Sequence, residues 1–213
     1  MEKTYKRASM TVVKRLPKYY RYLSDLESKK IEKISSKDLA EMMGLTASQI
    51  RQDLNAFGAY GQQGYGYRVQ DLKQEIWKIL GLNANYNCII IGSGNLGKAL
   101  SNYEKFRKEG IHIIGMFDAD QKKVGEVVGD NKILHLDQLK NFVKDNTVDI
   151  CILAVPRSVG QQVTDLVCEL GIPSILNFAP IDLVVPDNVK VASVNITDSM
   201  FTLTYQLNEE RLS

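Results

Sequence analysis

The stretch Cys88-Ile-Ile-Ile91-Gly92-Ser93-Gly94-Asn95-Leu96-Gly97 runs from a short apolar segment into three glycines at G-x-G-x-x-G spacing. Lys-Ala-Leu-Ser-Asn-Tyr103 follows with helical character. The glycine pattern alone has little specificity, but between a buried strand and a helix it is much stronger. Gly92 permits the tight turn, Gly94 lets backbone approach a pyrophosphate, and Gly97 lets helix and strand pack closely. Phosphates would lie over the first turn of the helix, where unpaired N–H groups and the dipole favour anions. A second strand, Ile111 to Phe117, ends at Asp118, 21 residues beyond Gly97. A carboxylate at that spacing accepts both ribose hydroxyls and repels a 2′-phosphate, so NAD(H) is expected over NADP(H). Asp118 could also be a turn residue capping FDADQKKVG; the spacing favours the cofactor role.

Working outward, strands and helices continue to alternate. Ile133–Leu134, Asp149–Val155, Pro173–Asn177 and Val189–Val191 read as strands, and LDQLKNFVKDN and SVGQQVTDLVCELG as helices. This predicts a Rossmann-like, doubly wound parallel sheet. Ligands in such sheets sit at the carboxyl ends of strands. Ala154-Val155-Pro156 and Asn177-Phe178-Ala179 therefore join the expected cofactor site, on the nicotinamide side. Downstream, Ile196, Met200, Leu203 and Leu207 form an apolar stripe with Phe201 and Tyr205 beside it. Asn195 and Asp198 stand where an N-cap and its N3 acid belong. Such a stripe must be buried, on its own body or across a dimer.

Composition sets the outer bounds. The chain has 213 residues, 44% apolar and 24% charged, as in ordinary globular proteins. No apolar run reaches the length of a transmembrane helix, and the start MEKTYKRASM lacks the apolar core of a signal peptide, so a cytoplasmic location is expected. Cys88, Cys151 and Cys168 sit in apolar segments without metal-ligand spacing and read as reduced core residues. His112 and His135 lack any evident catalytic partner and read as structural, so no metal site and no catalytic residue is expected.

The net charge of +2 hides an asymmetry. Residues 1–84 carry 15 Lys+Arg against 9 Asp+Glu, whereas residues 85–213 carry 12 against 16. A basic head on an acidic body points to nucleic acid at the head only. Its apolar positions, from Val12 to Leu26, recur at helical spacing, with Pro17 suited to a first helical turn. Ser36 then precedes a short amphipathic run that Gly44 ends. Thr46 is placed to cap the following helix, TASQIRQDLNAF. Two short helices about a tight turn form a helix-turn-helix.

In the second of these, Ile50, Leu54 and Phe57 face inward, leaving Ser48, Arg51, Gln52 and Asn55 outward. Long polar side chains on one helix face suit base edges in a major groove. Tyr60-Gly-Gln62-Gln63-Gly64-Tyr65-Gly66-Tyr-Arg-Val69 reads as a β-hairpin wing, whose glycines admit close approach to phosphate or minor groove. Together these predict a winged helix-turn-helix. Arg15, Lys18, Thr46 and Gln49 complete the expected DNA-contacting set. A further helix, VQDLKQEIWKILGL, closes the head with Leu72, Ile76, Ile79 and Leu80 inward, and residues 83–87 read as linker. The expected domains are 1–82, 83–192 and a C-terminal helical segment, 193–213.

RLPKYYRYL, SQIRQDLNAFGAYGQQGYGY, IIGSGNLGKAL, FDAD, AVPR and NFAP occur in this order from Arg15 to Pro180. By these motifs the chain resembles the Rex redox-sensing transcriptional repressors across nearly its whole length. The resemblance implies a homodimer that binds palindromic operator DNA when cofactor-free or NAD⁺-bound, and that NADH releases. It also implies exchange of the C-terminal helix between subunits, and coupling through Arg21, Tyr103 and Asn195. Three positions depart from the common pattern. Gln63 and Asn95 stand where many members carry a basic residue and an arginine. Asn195 stands where many carry an aspartate that pairs with the arginine matching Arg21. The competing readings are an NAD-dependent dehydrogenase with an accessory helical domain, and a nucleotide- or CoA-binding module without DNA affinity. Against the first, no His, Lys or Tyr constellation follows the glycine loop, Tyr103 being an isolated candidate. Against the second stand the wing and the basic head.

Overall fold

Two compact units make up the chain, Met1–Ala84 and Asn85–Ser213. The computed structural model describes residues 9–57 and 66–212. In the first unit α1 (Met10–Val13), α2 (Leu16–Ser28), β1 (Lys33–Ile34), α3 (Ser36–Met43), α4 (Ala47–Asn55), β2 (Tyr67–Arg68) and α5 (Val69–Ile79) follow in order. Pro17 sits in the first turn of α2, where its missing N–H has no intrahelical acceptor to lose. Ser35, one residue before the expected boundary, caps α3: its hydroxyl accepts the N–H of Asp38 at 3.0 Å. Gly44 ends that helix in the left-handed region at φ +65°, and Thr46 Oγ1 accepts the N–H of Gln49 at 3.1 Å. Leu16, Tyr19, Leu23, Leu39, Ile50, Leu54, Leu72 and Ile76 are buried in one core. Ile79 and Leu80, expected inward, are half-buried.

The expected wing is visible only at its returning strand. β2 pairs antiparallel with β1, Tyr67 opposite Ile34 and Arg68 opposite Lys33. At Gly66 φ is +73°, and a Cβ there would lie 2.5 Å from the Ile34 carbonyl oxygen, so this corner admits only glycine. Tyr60, Gln62, Gln63, Gly64 and Tyr65 lie outside the described residues. The strand does not reach Val69 as expected; Val69 opens α5, its N–H bonded to the Glu32 carbonyl at 2.9 Å.

One residue that pattern reading leaves unassigned organises this unit. Asp53 of α4 is 1% exposed. Arg15 donates to both its oxygens, at 2.7 and 2.6 Å, from the start of α2. The Tyr19 hydroxyl, at 2.9 Å, and Gln49 Nε2, also at 2.9 Å, complete its partners. Burial alone would raise the Asp53 pKa, but the bonds from Arg15, Gln49 and Tyr19 outweigh it and hold the group ionised below its usual range.

In the second unit β3 (Tyr86–Ile91), α6 (Asn95–Ser101), α7 (Glu104–Lys108), β4 (Ile111–Asp118), β5 (Val127–Val128), β6 (Asn131–His135), α8 (Leu139–Asp145), β7 (Ile150–Leu153), α9 (Arg157–Glu169), β8 (Ser174–Asn177), β9 (Lys190–Ser193) and α10 (Ile196–Leu212) follow. The sheet order is β5-β6-β4-β3-β7-β8-β9. All neighbours run parallel except β5, a short antiparallel edge that the sequence reading does not anticipate. Leaving β5 aside, strands in chain order lie 3-2-1-4-5-6, the doubly wound dinucleotide-binding order. Successive side chains of β3 alternate between the two faces: Ile89 and Ile91 enter one core, Ile90 the other. β3 begins at Tyr86, so residues 86 and 87, expected as linker, belong to the sheet.

Cys88 and Cys151 are buried and Cys168 half-buried, all as free thiols; burial pushes the Cys88 thiol up to about 12, leaving it protonated and inert. His135 does have an acidic neighbour, Asp137 at 3.2 Å. Its ring also accepts the Asp137 N–H at 3.3 Å, so it caps the short 3₁₀ turn Leu136–Gln138. Among the described residues no helix is long and apolar enough to cross a membrane, and no group of three or more His, Cys, Asp or Glu is placed to hold a metal.

Asp53→Ala removes the acceptor that Arg15, Tyr19 and Gln49 share, while the Arg15 side chain left behind is 24% exposed, so the variant is expected to destabilise the first unit by about 1–3 kcal/mol. Because the folded pKa of Asp53 lies below the unfolded one, its contribution is complete above the unfolded value of about 4 and fades as pH falls below it. Chemical-denaturation curves of the parent and Asp53→Ala should therefore differ at pH 7 and converge in acid.

Candidate functional site

The glycine loop sits where sheet order reverses. β3 has β4 on one side and β7 on the other, and their connections leave in opposite directions, opening a crevice at the strands' carboxyl ends. At Gly92 φ is +101°, and a Cβ would lie 2.2 Å from the Ala154 carbonyl oxygen. A Cβ at Gly97 would lie 1.9 Å from the Gly92 carbonyl oxygen. Both glycines are thus required for the loop to fold back against α6 and β7. Gly94 differs: nothing lies within 4 Å of the Cβ it lacks, and it borders the cleft. A ligand can therefore approach the backbone there. The loop fits a dinucleotide pyrophosphate.

The cleft over this loop has a volume of about 920 Å³. It unites Gly92, Gly94, Asn95, Leu96, Asp118, Ala154, Val155 and Pro156 of the expected site. Gly97 and Ser93 lie behind it, the first packing the loop and the second holding Asp118. The Ser93 N–H and hydroxyl donate to Asp118 Oδ2 at 2.8 and 2.6 Å. The Asp120 N–H donates to Oδ1 at 2.9 Å, and Lys123 Nζ reaches Oδ2 at 3.0 Å. Burial alone would raise the Asp118 pKa; the Ser93, Asp120 and Lys123 bonds outweigh it, holding the carboxyl well below the usual range and ionised.

Asn177, Phe178 and Ala179 do not line this cleft. The Asn177 side chain turns inward, donating to the Ile181 carbonyl at 2.9 Å and accepting the Ala179 N–H at 2.9 Å. Tyr103 lies elsewhere, edge-on to Phe106 with ring centroids 5.1 Å apart, in a separate cleft of about 490 Å³. Asn195 is the exposed cap of α10, its Oδ1 accepting the Thr197 N–H at 3.0 Å. Arg21 is exposed on α2, its guanidinium 5.7 Å from the Tyr22 ring centroid.

In the first unit Ser48, Arg51, Gln52 and Asn55 are all exposed on α4, and Arg51 Nη1 donates to Ser36 Oγ at 3.2 Å. Four more of the expected DNA-contacting side chains, Arg15, Lys18, Thr46 and Gln49, have internal partners. Arg15 and Gln49 hold Asp53, Lys18 Nζ donates to the Met43 carbonyl at 2.7 Å, and Thr46 caps α4.

Sequence reading misses the far wall of the cleft, which Val159, Gln162, Val163 and Leu166 of α9 supply. Their spacing i, i+3, i+4, i+7 is a legible one-face signal, though it does not say which way the face points. Lys123 is also missed; it lies five residues past Asp118, across the turn that follows β4.

A family model for the N-terminus of putative DNA-binding proteins matches residues 8–55, and a CoA-binding-domain model matches residues 83–181. A helical DNA-binding head joined to a Rossmann-like body defines the class: a transcription regulator carrying its own dinucleotide-type domain. The redox-sensing transcriptional repressor Rex of Clostridioides difficile (strain 630) is 50% identical, over 96% of this chain and 97% of its own. That of Clostridium botulinum (strain Alaska E43 / Type E3) is 51% identical, over 97% and 98%. The crystal structure of RSP in complex with β-NAD⁺ and operator DNA superposes with a TM-score of 0.91 at 48% identity, covering 96% of this chain and 94% of that one. RSP in complex with β-NADH gives 0.89 at 45% identity, covering 97% of each. The chain belongs to the Rex family of redox-sensing transcriptional repressors.

Replacing Gly97 by alanine forces a side chain into the Gly92 carbonyl and should destabilise the second unit by about 1–3 kcal/mol or more. Gly94→Ala, with open space and extended backbone, should leave the melting temperature near that of the parent. Calorimetric melts of both variants check this pair of outcomes.

Proposed function

We propose that this chain represses transcription in the cytoplasm by binding palindromic operator DNA through its first unit, and that NADH in the cleft of the second releases it. The reading rests most on the near-complete likeness to RSP, whose solved complexes hold β-NAD⁺ with operator DNA and β-NADH. A cleft over an exposed glycine backbone, with an ionised acid at the end of β4, supports NAD(H) as the ligand. Asp118 is the ribose acceptor, Gly94 and Asn95 flank the pyrophosphate, and Ala154, Val155 and Pro156 border the nicotinamide half. Asn177, Phe178 and Ala179 lie at the end of the neighbouring strand β8, where the Phe178 N–H bonds the Leu153 carbonyl at 2.8 Å.

On DNA, Ser48, Arg51, Gln52 and Asn55 supply the readout face of α4, and the sequence 60–66 contributes a wing. Arg15, Lys18, Thr46 and Gln49 contribute by fixing how α4 is presented. The working form is a homodimer that exchanges α10. Every residue from 190 to 211 is exposed within one chain, and Met200, Phe201, Leu203 and Leu207 make that surface apolar. An apolar surface of this extent calls for a partner. Arg21, Tyr103 and Asn195 couple cofactor to DNA across that dimer.

Operators selected from a random palindromic pool provide the test. Arg51→Ala should weaken binding by about 1–3 kcal/mol, the range of a lost base-edge contact. Unchanged affinity would overturn the assignment of α4 as the recognition helix.

A further inference from the structure

Asp118 and Lys123 both line the cleft and form an ion pair there, Nζ to Oδ2 at 3.0 Å. The two ends of this pair are held differently. Asp118 is fixed without Lys123, since both donors of Ser93 and the Asp120 N–H already bind its carboxylate. Its side chain is 11% exposed. The Lys123 side chain is 37% exposed, and its ammonium is tethered to the site through the Asp118 carboxylate. It carries a point charge on a flexible stem.

Building on the reading of Asp118 as the ribose acceptor, we propose that Lys123 is a second specificity determinant of the cleft. Its ammonium is a latent binding point for the 2′-phosphate of NADP(H), which the Asp118 carboxylate masks. A ribose with a free 2′-hydroxyl donates to Asp118 and takes the place of the ammonium. A 2′-phosphate delivered to the same point meets a fixed negative charge and a positive one together. The two unit charges act at similar range, so their contributions oppose each other and are of similar size. Preference for the unphosphorylated cofactor then comes from the carboxylate, and the extent of that preference is limited by the lysine. Asp120, the other acid at this end of the cleft, is committed to its turn, where Oδ1 accepts the Lys122 N–H at 3.0 Å.

The test is a cycle of four full-length proteins, the parent, Asp118→Asn, Lys123→Met and the double variant, titrated calorimetrically with NADH and with NADPH. Asp118→Asn should weaken NADH and strengthen NADPH by about ten-fold, as one charge-assisted contact to phosphate is uncovered. The double variant should lose that gain. Lys123→Met alone should weaken NADPH more than NADH, which keeps the proposal testable even if Asp118→Asn folds poorly. A gain in NADPH affinity that survives in the double variant overturns the role of Lys123. So does weakened NADH binding without any NADPH gain, and so does a Lys123→Met effect that is equal for both cofactors. NADH binding unchanged in Asp118→Asn would instead overturn the ribose reading itself, and the role of Lys123 with it.

Discussion

A buried carboxylate must be surrounded by donors, and both units of this protein are arranged around one. Asp53 draws Tyr19 of α2 and Arg15, the residue before it, onto α4, and so ties the exposed polar face of that helix to the body of the head. Asp118 draws Ser93, Asp120 and Lys123 to the end of β4, and so ties the glycine loop to the strand beside it. Unpaired, each carboxylate would cost several kcal/mol or give up its charge. Paired, each is ionised and geometrically fixed. The two proposed functional faces inherit their positions from these clusters.

In the second unit steric constraint does the rest. Gly97 lies so close to the Gly92 carbonyl, and Gly92 so close to Ala154, that a side chain at either would push the loop away from the sheet. Of the three, Gly94 alone is open, which leaves backbone bare at the proposed pyrophosphate site. Strand order then puts that opening at the reversal point of the sheet, with α9 supplying an apolar wall opposite. The proposed sensor uses this as a site where only the redox state of the bound ring varies. The proposed dimer would bury the exposed apolar surface of α10.

Much of this was legible in the sequence because it is local. The glycine loop, its flanking strand and helix, and the spacing to Asp118 are all encoded within about thirty residues, as such units require. The helix boundaries were equally legible, because Gly44, Thr46 and Pro17 each act on backbone within a few residues of themselves. What was not legible is long-range. Arg15 and Gln49 look like DNA-contacting residues by charge and position, but a partner 38 residues away from Arg15 engages both. Asp53 reads as one more polar residue until its burial is known. The α9 face has a clear period, yet nothing in it says that it faces a cleft rather than a core. Asn177 ends a strand at the carboxyl edge, as ligand residues do, but its amide is occupied by its own turn. β5 and the start of β3 at Tyr86 were missed because two-residue edges and strand ends are decided by neighbours.

In the proposed function one molecule reads DNA and the redox state of its cofactor against each other. The most direct test holds total cofactor constant while the NADH fraction rises from zero to one, and follows binding to a selected operator by fluorescence anisotropy. The operator complex should persist with NAD⁺ alone and dissociate as the NADH fraction rises, with half-release set by the ratio and not by the total. Operator binding that stays the same across the whole range would contradict it.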